Sequence, residues 1–246
     1  MSYSTQPLLV VVPALNEEES IGRVIQQLLQ MRFRVLVVDD GSSDSTASVA
    51  MAAGADVLKL PIQLGVGGAL QVGFRFAVSS GYKSVVQIDA DDQHPIHMIS
   101  ALEAVALERR AHLVIGSRHL SSETTLVLTR ARRIGTIVLK WLTKRATGQD
   151  ITDPTSGFRI ICEPLLSAFA QDFPVNYLGD TFEATIYAAR AGYTIEEVPA
   201  PMRPRALGKS TIGELHGSLL LLRSLIVIIF RLRKLRLPPV KADAGG

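Results

Sequence analysis

Hydrophobic residues along the chain alternate between short continuous runs and runs with helical spacing. The first continuous run covers residues 8–12, and apolar positions at helical spacing follow from Ile21 to Leu29. A continuous run is typical of a strand buried on both faces of a parallel sheet, and the second pattern is typical of an amphipathic helix. This part therefore predicts a strand, a loop and a helix, with a capping box formed by Asn16 and Glu19.

The same strand and helix unit recurs three times, and a fifth strand follows. Continuous apolar runs predict strands at residues 35–38, 57–58, 85–88 and 112–115. Helical spacing predicts one helix that ends near residue 53 and others at about 67–80 and 96–109. This alternation implies an α/β fold with a Rossmann-like, doubly wound and mostly parallel sheet and right-handed crossovers.

The regular alternation ends after Arg118. The remaining predicted elements are a polar loop at 119–129, a basic amphipathic helix at 129–145, a turn at 153–159, a short strand, a helix after Pro164, a helix at about 180–191 and a strand at 194–198. Trp141, the single tryptophan, is expected in the core.

The last predicted element, at about 211–237, is an apolar helix with a basic end. Its longest apolar runs, 219–222 and 225–230, are too short for a bilayer span, which needs about 20 apolar residues. The helix packs on the domain, forms a subunit interface, or lies in a membrane interface with its basic residues at anionic head groups. We divide the chain into a main domain at 1–210 and this helix with its tail at 211–246, and we leave a homo-oligomer open.

Composition narrows the class of protein. A chain of 246 residues can bury a full core, and a hydrophobic content of 47% is consistent with contact to a membrane or a partner. The net charge of +3 is modest and the basic residues cluster locally, so we expect small anions as ligands and no nucleic acid.

The single cysteine, Cys162, excludes an intramolecular disulfide and fits a reducing compartment. We expect no signal peptide, because the strand pattern starts at Leu8.

Polar side chains follow three of the predicted strands at one edge of the sheet. They are Asn16 and Glu17 after the first strand, Asp39 and Asp40 after the second, and Asp89 and Asp91 after the fourth. A doubly wound sheet binds ligands at the carboxyl ends of its strands. Solvated acidic turns are the ordinary explanation of adjacent aspartates, but such turns would mark both edges of the sheet. The placement at one edge therefore favours a binding site.

The segment 89–94 carries three carboxylates and a carboxamide. In an extended chain the side chains alternate, so Asp89 and Asp91 would face one hard cation while Asp92 points away. His94 is expected to begin the next helix.

The ordered set of motifs resembles the family 2 glycosyltransferases with a GT-A fold, and within them the dolichol-phosphate-mannose-synthase-like group that glycosylates a polyprenyl phosphate. The resemblance runs from residues 11–18 to residues 205–210. Segments 38–44 and 89–91 are typical of the family, and segments 153–159 and 205–210 favour the lipid-phosphate group. The resemblance implies an inverting hexosyltransferase in the cytoplasm, at the inner face of the cytoplasmic membrane. Contact of residues 211–237 with that membrane is a separate expectation, which comes from the apolar and basic character of this helix.

The resemblance also implies a role for each residue at the edge of the sheet. A nucleotide-sugar donor, either a UDP-sugar or GDP-mannose, would be held through its base and ribose by Pro13, Ala14, Glu17 and Asp40, with Asp39 assisting. Mg²⁺ or Mn²⁺ on its diphosphate would be held by Asp89, Asp91 and Gln93, which offer the oxygen ligands that such cations require.

The implied chemistry depends on charge. A divalent cation neutralises the diphosphate that leaves. A polyprenyl phosphate acceptor is largely ionised at neutral pH, since its second pKa is about 6, and it needs no general base. It needs cations that position it against the anionic donor. The residues that match this task are Arg118, Arg132 with Thr136, and Arg205 with Ser210, while Arg130 and Arg133 compete with Arg132.

Two alternatives stay open. A hydroxyl acceptor must lose a proton, and Asp180 or Glu183 would be its base unless both simply begin a helix. The other alternative is a catalytically silent subunit that binds a nucleotide sugar. The chain departs from the group at Val66, in the glycine-rich segment 63–68, where the group usually carries lysine. This departure removes a cation that would face the donor phosphates.

Overall fold

Seven strands form one sheet in the computed structural model, which describes residues 8–120, 140–141, 143–145, 147–174 and 180–202. The strands are β1 (Leu8–Ala14), β2 (Arg34–Asp39), β3 (Asp56–Lys59), β4 (Ser84–Gln87), β5 (Leu113–Ser117), β6 (Arg159–Cys162) and β7 (Ile195–Pro199). Their order across the sheet is β3-β2-β1-β4-β6-β5-β7. Neighbouring strands are parallel except around β6, which runs antiparallel to both β4 and β5. The mostly parallel α/β sheet predicted from the sequence is confirmed.

Helices cover both faces of this sheet. They are α1 (Ile21–Gln30), α2 (Thr46–Ala52), α3 (Val66–Ser79), α4 (Ile99–Arg109), α5 (Leu165–Gln171) and α6 (Asp180–Arg190), and a 3-10 turn at Ile96–Met98 precedes α4. Every predicted strand and helix that falls entirely within the described residues is present, with ends shifted by a few residues. Arg132, Arg205, Ser210 and the predicted helix at 211–237 lie outside the described residues, so their placement and the domain boundary stay predictions.

The core has two layers, one on each face of the sheet. In β1, Val10 and Val12 pack with α1 and α4, whereas Leu9 and Val11 pack with α3 and α5. Side chains alternate along a strand, so a strand covered on both faces must be apolar at every position. This requirement explains the continuous apolar runs. Among the described helices, none combines the length and the apolar character that crossing a bilayer requires.

Two local predictions are wrong. Helix α1 begins only at Ile21, after Ser20, and Asn16 instead accepts the N–H of Ser43 at 2.9 Å through its side-chain oxygen, so there is no capping box. Trp141 is 63% exposed and does not belong to the core. Among the described residues at 140–147, Thr143 is buried, and positions two residues apart lie about 200° apart around a helix.

Gly73 brings α3 against β1, and this contact can be tested. A Cβ atom on Gly73 would lie 2.5 Å from Cγ1 of Val11 in the core. We predict that Gly73→Ala lowers the free energy of unfolding by about 1–3 kcal/mol, because a packed core must shift to admit a methyl group. Urea denaturation measures the change. In the control variant Gly22→Ala, the new Cβ meets only Cγ1 of Val49 at 3.2 Å, and stability should stay within about 1 kcal/mol of the wild type. Equal losses in both variants would contradict the close contact.

Candidate functional site

A cavity of about 400 Å³ opens at the carboxyl edge of the sheet. Parallel pairing of β1 with β2 and β4 sets the three strand ends side by side, at the place where strand order reverses. The predicted site residues that line this cavity are Pro13, Ala14, Glu17, Asp40, Asp89 and Asp91. A larger cavity, of about 580 Å³, lies at the opposite edge near the start of β4 and contains none of the predicted residues. The structure thus brings these six predicted residues together around one cavity.

Asp40 holds the glycine-rich segment at the cavity. Its Oδ1 accepts the N–H of Leu64 at 2.7 Å, and its Oδ2 accepts the N–H of Gly65 at 2.8 Å. Gly65 has a φ of +82°, a conformation that favours glycine, and α3 begins directly after it. Gln63, Gly65 and Val66 line the cavity as a result. Asp40 therefore positions a wall of the cavity, and its predicted contact with a nucleotide base would use the remaining lone pairs of its oxygens.

Asp39 is fully buried and does not line the cavity. Its Oδ1 accepts the N–H of Ser42 at 3.0 Å, which fastens the turn after β2. Within the residues that the structure describes, its Oδ2 is buried without a hydrogen-bond partner. The predicted assistance to the donor therefore stays a prediction, while the structural task of Asp39 in the turn is clear from its contact.

The loop after β1 is fastened to the loop after β2. The backbone N–H of Glu17 donates to Oγ1 of Thr46 at 2.8 Å, and the N–H of Asn16 donates to Oγ of Ser42 at 2.9 Å. The carboxylate of Glu17 accepts a hydrogen bond from Oγ of Ser20 at 2.8 Å. These contacts keep the two loops that flank the cavity at a fixed separation.

Asp89 and Asp91 reach the cavity from a turn and not from the strand. β4 ends at Gln87, so the alternation of an extended chain does not apply to these residues, although both do line the cavity. Oδ1 of Asp91 accepts the N–H of Gln93 at 3.1 Å, and Gln93 itself lies outside the cavity lining as described. The turn therefore presents two carboxylates to one space.

The neighbouring residues of the turn face elsewhere. Asp92 has a φ of +61°, and its carboxylate contacts α1, where Gln27 donates to Oδ1 at 3.1 Å and Nη1 of Arg23 lies 3.5 Å from Oδ2. His94 directly precedes Pro95, the N-cap residue of the helical turn, as expected of a residue at a helix start, and it is buried beside Asp89.

Asp89 and Asp91 fit a divalent cation that completes its coordination with oxygens of a ligand. Mg²⁺ is usually held by one or two carboxylates together with phosphate oxygens and water. In the described part of the chain, no group of three or more histidine, cysteine or acidic side chains is arranged to hold a metal alone. The two carboxylates, with the amide of Gln93 next to them in the chain, suit a cation shared with a diphosphate, and this assignment remains a prediction.

Arg118, at the end of β5, is held by a buried aspartate. Its Nε and Nη2 donate to the two carboxylate oxygens of Asp153 at 2.7 and 2.8 Å, and Nη2 also donates to Oγ1 of Thr155 at 2.9 Å. Burial alone would lower the pKa of Arg118, but the hydrogen bonds and charge of Asp153 outweigh it and raise that pKa. Burial alone would likewise raise the pKa of Asp153, and Arg118 holds it below its usual range. The guanidinium is thus a permanently charged group in a fixed orientation.

Arg159 is a site residue that the sequence reasoning missed. It is fully buried at the start of β6 and donates to the carbonyl oxygens of Ser156, Pro154 and Thr181. Burial lowers the pKa of Arg159 to about 10, although the negative charges of Asp180, Asp153 and Asp89 act to raise it. The sequence did contain a signal for it: Arg159 stands directly before an apolar run, and a charged side chain at the start of a buried strand needs hydrogen-bond partners.

Asp180, at the start of α6, is buried next to this arginine. Its Oδ1 accepts the N–H of Thr181 at 2.7 Å, and in the described part of the chain its Oδ2 has no partner. Burial raises the pKa of Asp180 to about 6, and the charges of Asp89 and Glu183 act in the same direction. The charge of Asp89 acts on Asp180, Arg159 and Arg118 alike, although among these four residues only Asp89 lines the cavity.

Comparison with known proteins identifies the chain with this fold as a glycosyltransferase. The family model described as Glycosyl transferase family 2 matches residues 9–169, and the chain belongs to that family. The predicted family and enzyme class are confirmed.

Relatives and solved structures refine the comparison. The chain is 33% identical over 215 residues to undecaprenyl-phosphate mannosyltransferase of Micrococcus luteus, covering 84% of this chain and 87% of that one. It is 32% identical over 221 residues to polyprenol monophosphomannose synthase of Mycolicibacterium smegmatis, covering 85% and 82%. Glucosyl-3-phosphoglycerate synthase of Mycobacterium tuberculosis, solved with Mg²⁺ and UDP, has a TM-score of 0.66 at 25% identity, covering 91% of this chain and 79% of that one. The predicted GT-A fold and the likeness to lipid-phosphate glycosyltransferases are confirmed.

The raised pKa of Asp180 predicts a pH-dependent stability. Because the pKa is about 6 in the folded chain, against 3.8 for an ordinary aspartate, the folded state holds the proton more tightly than the unfolded state. This stabilisation is complete below pH 3.8 and is lost as the pH rises through about 6. Relative to the wild type, Asp180→Asn should gain roughly 2 kcal/mol in free energy of unfolding between about pH 4 and about pH 7. Urea denaturation at both pH values measures this gain, and an unchanged difference would contradict the raised pKa.

Proposed function

We propose that the protein transfers a sugar from a nucleotide-sugar donor to a polyprenyl phosphate, with inversion at the sugar carbon and with Mg²⁺ or Mn²⁺ at Asp89 and Asp91. The observation that carries this proposal is one cavity that presents both carboxylates between the fastened loops after β1 and β2. The named lipid-phosphate relatives and the UDP-bound structural neighbour support the two substrates. In this proposal the donor is either a UDP-sugar or GDP-mannose.

The donor would occupy the cavity. Its base and ribose would contact Pro13, Ala14, Glu17 and Asp40, and its diphosphate would lie toward Asp89 and Asp91. When bound, the cation neutralises the negative charge that forms on the leaving diphosphate. Val66 lies in the cavity wall and offers no charge to the diphosphate. In this proposal the diphosphate is therefore engaged through a cation held by Asp89 and Asp91.

The acceptor would approach from the side of Arg118, whose charge interacts with that of Asp89. Asp153 engages Nε and Nη2, which fixes the guanidinium and prevents it from swinging. A fixed cation beside Asp89 can position an acceptor phosphate, whose oxygen is already ionised and attacks without a base. Arg132, Arg205 and Ser210 would complete the acceptor site in this proposal. The acceptor lipid would bring the protein to the cytoplasmic face of a membrane, which residues 211–237 would contact.

A hydroxyl acceptor is the second candidate, and one observation favours it. With a pKa of about 6, Asp180 is mostly ionised at neutral pH and basic enough to take a proton. Its position near Asp89 would place this base beside the reacting groups. The two candidates differ in their dependence on Asp180.

Transfer of label to lipid tests the proposal. Purified protein is incubated with Mn²⁺, polyprenyl phosphate and radiolabelled UDP-sugars or GDP-mannose, and label in the organic extract is counted. We expect label from one donor, its loss with EDTA, and a reduction of about 100-fold or more in Asp91→Asn. The matched control is Asp92→Asn, because Asp92 lies in the same turn but contacts α1, and asparagine tolerates its φ of +61°.

The same assay separates the acceptor classes. Asp180→Asn should keep most of the transfer if the acceptor is a phosphate. Loss of transfer in Asp180→Asn, with donor binding intact, would favour the hydroxyl acceptor. Absence of label in the lipid with every donor would contradict the proposed function.

A further inference from the structure

Asp89 is enclosed by two residues that do not line the cavity. Its side chain is 42% exposed, toward the cavity, and its other sides meet His94 and Gly157. His94 follows in the same turn, whereas Gly157 belongs to the segment before β6. Two distant parts of the chain thus converge on one carboxylate.

His94 contacts both the backbone and the side chain of Asp89. The backbone N–H of Asp89 donates to Nδ1 of His94 at 3.1 Å, so Nδ1 carries no proton and the proton of the ring is on Nε2. Nε2 lies 3.4 Å from Oδ2 of the same aspartate. This distance is longer than an ordinary hydrogen bond, and the contact orients the carboxylate by charge and dipole. One imidazole therefore contacts Asp89 at both its backbone N–H and its carboxylate.

The imidazole is itself fixed by packing. His94 is 5% exposed, and its ring lies against that of Phe158 with centroids 5.4 Å apart and planes 33° apart. Phe158 is fully buried in the core layer on the α1 and α4 face. The histidine cannot follow a movement of the carboxylate, because its surroundings are close-packed.

Gly157 leaves the space that the carboxylate occupies. A Cβ atom at this position would lie 2.8 Å from Oδ2 and 3.0 Å from Oδ1 of Asp89. The backbone of Gly157 does not have a positive φ, so alanine can adopt its conformation. The obstructing atoms are the end of a rotatable side chain. Alanine would therefore cost little folding free energy and would displace the carboxylate instead.

We propose that His94 and Gly157 are positioning residues, which hold the Asp89 carboxylate in the orientation that binds the divalent cation. The inference rests on the proposed metal-dependent function, in which Asp89 is a ligand. Groups that orient a metal ligand typically change metal affinity 10- to 100-fold when they are removed, although they do not touch the metal. The segment 153–159 would thus contribute to cation binding without supplying a ligand.

Direct measurement of Mn²⁺ affinity tests the proposal. Electron paramagnetic resonance of free Mn²⁺ gives the Kd of the complete chain in the presence of UDP or GDP. We expect the Kd to rise about 10- to 100-fold in His94→Phe, which keeps a ring against Phe158 but removes both nitrogens, and in Gly157→Ala. His94→Gln should fall between the wild type and His94→Phe, because its amide can donate near the position of Nε2.

Matched controls separate positioning from stability. His97→Gln changes an exposed histidine three residues along, and Gly22→Ala changes a glycine in α1, and both should bind Mn²⁺ as the wild type does. The thermal unfolding midpoint without metal should be close to that of the wild type in Gly157→Ala. A purely structural role would lower this midpoint and leave the Kd unchanged.

The outcomes distinguish this inference from the proposed function. If the wild type binds Mn²⁺ with UDP or GDP and both His94→Phe and Gly157→Ala bind it equally well, the positioning role is wrong and the proposed function stands. If the wild type binds no Mn²⁺ with either nucleotide, the metal-dependent function and the inference are both wrong.

Discussion

The reversed direction of β6 is the constraint on which the site depends. β6 lies between β4 and β5 and runs antiparallel to both, so its first residue, Arg159, pairs opposite Gln87 near the end of β4 and Ile115 in β5. The turn that precedes β6 is therefore delivered to the carboxyl edge of the sheet. A parallel strand in the same place would leave that turn at the other edge. Asp153 reaches Arg118, and Gly157 reaches Asp89, only because of this reversal.

A buried charge holds this arrangement together. Arg159 has lost its contact with water, which is costly for a guanidinium, and the cost is offset by carbonyl acceptors and by the charge of Asp180. Its acceptors belong to the turn at 154–156 and to the first turn of α6, so one side chain joins two segments of the site. Among the described residues, the buried side-chain oxygens without a hydrogen-bond partner include Oδ2 of Asp39, Oε1 of Gln87 and Oδ2 of Asp180. Asp39 and Gln87 end β2 and β4 at the carboxyl edge of the sheet. This concentration of unfavourable electrostatics is typical of a functional site.

The spacing of apolar residues along the chain explains why most of the strands and helices, and the residues that line the cavity, could be predicted. Continuous apolar runs identify strands covered on both faces, and parallel strands bring their carboxyl ends together, which places Glu17, Asp40, Asp89 and Asp91 in one cavity. No local pattern encodes which neighbour a strand chooses, so the reversal of β6 was not predictable. The contacts that follow from the reversal were not predictable either, although the position of Arg159 directly before an apolar run indicated a charged side chain that needs partners.

Contacts between side chains and backbone set the other limits of prediction. Asp40 lines the cavity as expected, but the sequence did not indicate that its oxygens also hold two backbone N–H groups of the glycine-rich segment. His94 stands before a helix as expected, but it is also buried beside Asp89. Both depend on the path of a loop, which residue types alone do not determine.

The location of a bound cation is the most direct test of the proposed metal site. Crystals grown with Mn²⁺ and UDP or GDP would reveal the cation by its anomalous scattering. We predict a peak within coordination distance of the carboxylates of Asp89 and Asp91, next to the diphosphate in the cavity. A nucleotide bound in the cavity with no Mn²⁺ at these carboxylates, or a nucleotide bound elsewhere on the chain, would contradict it.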